Sequence, residues 1–82
     1  MNEKEKIVLL DFIIEQLKKI ETEIVKNLEK LEQSVSLEDQ QYYLLKLKRL
    51  EGKVDVYLNI ANHFNFRDNN NFKDVIMPFS LN

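Results

Sequence analysis

Residues 32–41 read EQSVSLEDQQ, and this stretch decides the fold. Before it, apolar residues recur at steps of three and four, and that rhythm stops at Ser34, Val35 and Ser36. Ser36-Leu37-Glu38-Asp39 then has the makeup of a helix start. A serine hydroxyl is available to a first-turn N–H, and the two acids that follow suit the positive end of the helix dipole. A break this short turns the two helices back on each other as antiparallel neighbours.

Upstream, Asn2 followed three residues later by Glu5 is an Asn-x-x-Glu capping box, so the first helix is expected from about Glu3 to Gln33. Leu10, Ile13, Ile14, Leu17, Ile20, Ile24, Leu28, Leu31 and Val35 form its apolar stripe. Glu15 and Lys19 are spaced to pair on the solvent side. Downstream, the second helix is expected from Leu37 to about His63. There Tyr43, Leu47, Leu50, Val54, Tyr57, Ala61 and Phe64 alternate steps of four and three, the a and d positions of a heptad seam. Antiparallel pairing sets Leu28 opposite Tyr43, Leu17 opposite Val54 and Leu10 opposite Ala61. Each helix is ~40 Å long at 1.5 Å per residue, so the hairpin is thin.

From Asn59 onward the chain holds seven of its nine asparagines and four of its five phenylalanines, which marks a change of character at the end of the hairpin. Residues 1–64 are read as the hairpin and residues 65–82 as an Asn-rich loop with an apolar tail. Arg67 to Asn71 reads as a loop. Phe72, Val75, Ile76 and Phe79 fall at i, i+3, i+4 and i+7, with Asn71 or Asp74 as the cap, and Pro78 ends any helix at Met77. Either the tail folds back over Val8, Leu9 and Phe12, which make the start of helix 1 apolar on nearly all sides, or residues 75–81 dock on a partner, or the open ends of two hairpins pack together.

The composition agrees. Eighty-two residues make one domain, and such a domain buries only about 60% of its unfolded surface. One Gly and one Pro are too few for a multi-stranded sheet, so the class is all-α. A hairpin this slender is expected to dimerise, into a four-helix bundle. With no Cys there is no disulfide frame, thiolate nucleophile or zinc-thiolate site, which points to an intracellular, cytoplasmic chain. The most apolar run, residues 7–14, is too short to span a bilayer. A net charge of −2 gives no overall attraction to nucleic acid or to an anionic membrane.

Six residues on the outer side of helix 2, Tyr42, Leu45, Arg49, Gly52, Val56 and Ile60, share a second stripe and are the candidate partner-binding residues, with His63 at its end. Gly inside a helix costs ~1 kcal/mol relative to Ala. Its presence there is read as room for another backbone, with Tyr42 and Arg49 as anchors. Glu21, at the centre of the helix 1 stripe and expected near Arg49 and Lys53, is the candidate structural polar residue that fixes register. Lys46, Lys48, Arg49 and Lys53 form a basic cluster among nearby acids, with no interleaved aromatic to stack a base. The lone His63 has no second metal ligand at a useful spacing. A nucleophile elbow, a phosphate loop and a paired-carboxylate arrangement are all missing, so neither enzyme chemistry nor a catalytic, cofactor or metal site is expected, nor a small-molecule substrate.

The expectation is therefore a non-enzymatic interaction module, self-associating as a homodimer and regulating or inhibiting a larger cytoplasmic protein. Small cofactor-free chains of this kind suit accessory or anti-defence factors of phages and mobile elements. The alternatives are a nucleic-acid-binding hairpin dimer acting through the basic cluster, or a scaffold whose only partner is itself.

Overall fold

The computed structural model describes residues 1–79 of the chain; Ser80, Leu81 and Asn82, including the end of the tail segment 75–81, lie outside the described residues. Two long helices, α1 (Glu3–Gln33) and α2 (Leu37–His63), run antiparallel, and a short third helix, α3 (Asn70–Ile76), packs back against α1. No strand occurs among the described residues. The molecule measures 51 × 19 × 19 Å with a radius of gyration of 15.0 Å, against about 12 Å for a compact chain of this length. The architecture is the all-α hairpin that the break at residues 34–36 implies.

Local chemistry sets each boundary. At the start of α1 the Glu5 N–H donates to the Asn2 side-chain oxygen at 2.8 Å, and the Asn2 N–H reaches back to the Glu5 carboxylate. At the turn, the Asp39 N–H donates to Ser36 Oγ at 3.1 Å, while the Gln40 side-chain amide donates to the Ser34 carbonyl and ties α2 to the end of α1. Val35, counted on the helix 1 stripe by periodicity, lies in this turn almost fully exposed. α2 ends where Asn65 takes a left-handed conformation, φ 60°, which asparagine tolerates better than most residues.

The seam between α1 and α2 buries Ile13, Leu17 and Ile20 against Leu50, Val54 and Ala61. Towards the turn the expected stripe fails by one residue: Leu28 is exposed and Asn27 is buried. From the core toward the turn, the positions that face inward are 13, 17, 20, 24 and 27. Those steps of four and three average 3.5 residues, the period of two helices held in continuous contact, whereas an isolated helix would drift toward Leu28.

The tail folds back in cis, with Phe72 and Val75 in the core and Ile76 and Phe79 packed on its edge. Three details differ from expectation, the first being that Pro78 does not end helical backbone at Met77: α3 stops at Ile76 and a 3-10 turn follows over Met77–Phe79. Residues 66–68 form a 3-10 turn rather than a loop, and the α3 cap is Asn69, whose side-chain oxygen accepts from the Phe72 N–H at 3.1 Å; Asn71 lies within the first turn. The flank that α3 covers is also not that of Val8 and Phe12. It lies beside Asp11, Ile14 and Lys18, and Ile14 sits about 160° around the helix from Phe12. Leu9 is half-buried, but Val8 and Phe12 stay in solvent.

Candidate functional site

α2 presents its second stripe to solvent. Tyr42, Leu45 and Val56 are 53%, 59% and 56% exposed, and Arg49 and Gly52 are exposed between them. A Cβ built on Gly52 would meet nothing within 4 Å, so no neighbour within the chain requires glycine there. Ile60, the sixth candidate, is half-buried and packs against the core, so the open part of the stripe runs from Tyr42 to Val56. His63 is exposed, with its ring edge-on to Phe64 at 5.0 Å.

Two residues of the stripe, Arg49 and Val56, also border a groove between the two long helices. Gln16, Lys19, Ile20 and Glu23 of α1 face Leu50, Lys53, Val56 and Tyr57 of α2 across it, and towards the turn Asn27 faces Lys46 and Arg49. Ile20 and Leu50 make an apolar floor, because both are buried seam residues. The banks carry Lys19, Lys46, Arg49 and Lys53 against the one acid Glu23. A chain of net charge −2 thus gathers positive charge along one face. Lys48, the fourth member of the basic cluster in sequence, does not line the groove.

At the turn end Lys46 Nζ lies 4.8 Å from the centre of the Tyr42 ring, a cation–π contact between residues one helical turn apart. Hydrogen bonding to Tyr42, then the charge of that phenol and of its neighbours Tyr43 and Glu23, holds the Lys46 ammonium above its ordinary value. Tyr42 also meets Tyr43 edge-on at 5.2 Å, which links the exposed stripe to the half-buried seam.

Glu21 lies on the other flank. It is half-buried beside Asp11, Lys18 and Asp74, where α3 crosses α1, and the acid that shares the groove with Arg49 and Lys53 is Glu23. The two glutamates are two residues apart, about 160° around the helix, so the way α1 is rotated against α2 sets Glu23 toward the basic residues and Glu21 toward α3. Asn27 was not singled out from sequence. Its signal was the a/d spacing from Ile13, hidden by the apolar Leu28 next to it.

Among the described residues no cluster of His, Cys, Asp and Glu could hold a metal ion, and no helix is long and apolar enough to cross a membrane. No protein-family model, no curated protein and no solved structure matches the chain.

Proposed function

We propose that the chain is a non-enzymatic interaction module that binds a larger protein through the open stripe of α2 and the adjoining groove, and so regulates or inhibits it. The observation that carries this reading is the run of exposed apolar side chains at Tyr42, Leu45 and Val56, interrupted only by Arg49 and by a glycine with open space above it. Apolar side chains gathered on one face and rimmed by polar groups are the mark of an interaction surface. The cationic banks select the partner's chemistry: a helix or ridge with an apolar crest and flanking carboxylates. The setting we attach to this is the cytoplasm, and the biological role an accessory or anti-defence factor of a phage or mobile element. Self-association as a homodimer accompanies it.

The test uses the full chain as bait, with Gly52→Arg and Leu45→Glu in parallel. A protein captured by the wild type and lost with both variants, at unchanged helicity, supports the reading. Equal capture by all three would show that the face is wrong. The groove cations favour nucleic acid as a second reading. That reading requires duplex RNA or DNA to bind at low salt, with affinity falling steeply as salt rises; no binding at low salt removes it. Recovery of the bait alone favours a scaffold that assembles only with itself.

A further inference from the structure

The N-terminal part of α1 carries an apolar face that neither α2 nor α3 covers. Val8 is 67% exposed and Phe12 49%, and they border a shallow hollow with Met1, Glu5 and Leu9. Phe12 meets Tyr57 of α2 edge-on at 6.3 Å, yet about half of its surface stays open. This face lies clear of Tyr42, Leu45 and Gly52 but adjoins the end of the groove formed by Lys19, Val56 and Tyr57.

Two observations identify its cover. The first is area. The chain exposes 6385 Å², whereas a compact protein of 9.8 kDa exposes about 5,200 Å². That excess is larger than the roughly 800 Å² each partner gives up in a standard interface. The second is charge. Glu5 lies seven residues before Phe12 and Lys19 seven after it, two helical turns either way on the same face. A twofold axis through Phe12, with the two α1 helices antiparallel, therefore sets Glu5 of one copy opposite Lys19 of the partner subunit, and the reverse. Within one copy Lys19 lies 3.5 Å from Glu15 in an exposed ion pair, so its ammonium is already turned to this side of the helix.

We propose that the chain forms a closed twofold dimer through this face of α1, with Phe12 on the axis, Val8 beside it and the Glu5 and Lys19 pairs at the rim. The contact is isologous, so it saturates at two copies and does not propagate into a filament. The stripe from Tyr42 to Gly52 stays free on both copies, while the Lys19 and Tyr57 end of the groove falls at the edge of the dimer contact. This goes beyond the docking role, because it assigns the Phe12 end of α1 to a second copy and leaves Tyr42 to Gly52 to the other protein.

Sedimentation equilibrium of the full chain tests it. The expected mass is twice 9.8 kDa at high concentration. Phe12→Glu and Val8→Glu each weaken the dimer by about a hundredfold with helicity retained. Glu5→Lys and Lys19→Glu singly weaken it by about tenfold, through two like-charge contacts each. The double swap binds more tightly than either single variant, since it rebuilds both pairs in reverse, but stays below the wild type because it gives up the Asn2 capping box and the Glu15–Lys19 pair. Gly52→Arg leaves the dimer constant unchanged, which separates this interface from the docking face. A monomer at several hundred micromolar overturns the proposal, as does a dimer indifferent to Phe12→Glu and Val8→Glu. A double swap no tighter than the single ones overturns the register.

Discussion

The side-chain amide of Asn27 donates to the carbonyl of Glu23, one turn back on the same helix, at 2.7 Å. That bond satisfies a polar group buried in an otherwise apolar seam, and no buried side-chain nitrogen or oxygen among the described residues is left without a partner. A single polar residue at a core position of paired helices costs stability and fixes register. Asn27→Leu is therefore expected to raise stability by about 1 kcal/mol. Urea unfolding of the two proteins measures it, and a lower midpoint for the variant would show that the amide contributes more than the burial of a leucine.

Gly52 offers a cleaner stability change. Its helix position is open and its φ is not positive, so Gly52→Ala should stabilise the isolated chain by about 0.5–1 kcal/mol. For a domain of this size that amounts to several degrees in Tm. A drop in Tm would mean that the chain alone already needs a glycine there, and the case for an outside partner at that point would be lost.

Phe72 is fully buried and anchors α3. Phe72→Leu is expected to cost about 1 kcal/mol, and Phe72→Ala ~3–5 kcal/mol. Deleting the chain after Asn71 should lower thermal stability for the same reason. Unchanged melting in the deletion would show that α3 does not hold the hairpin together.

Tyr42→Phe removes the hydroxyl that raises Lys46 but leaves the ring beneath the ammonium. The Lys46 pKa should then fall toward 10.5, as an NMR titration of labelled lysine side chains would show. The sign for stability follows. A group whose folded pKa is the higher one favours folding fully below its unfolded pKa, and that contribution fades as pH rises through the raised value. Disrupting this contact should therefore lower stability slightly at neutral pH and leave it unchanged once the pH is well above the raised value.

Local chemistry made the hairpin readable. The Asn2 capping box, the Ser36 cap and the polar break between them carry their signals within four residues, and both long helices fall where those signals place them. What could not be read depends on contacts between distant segments. Leu28 and Asn27 compete for the same seam, and only the close pairing of α1 with α2 decides for Asn27. Glu21 and Glu23 compete for the basic side, and the rotation of α1 against α2 decides for Glu23. The stripe from Tyr42 to Val56 was visible because helical spacing alone places it, whereas its join to a groove needed both helices in place.

The short α3 has one more consequence, for the order in which the molecule assembles. A seven-residue helix has almost no stability of its own in water, and Phe72 finds a site only after α1 and α2 have met. The neighbouring contacts of the hairpin close quickly, while α3 must close a loop of more than fifty residues to reach α1. Its amides should accordingly exchange with solvent through undocking events that leave the long helices protected, so hydrogen exchange would resolve two cooperative units in a chain of a single domain.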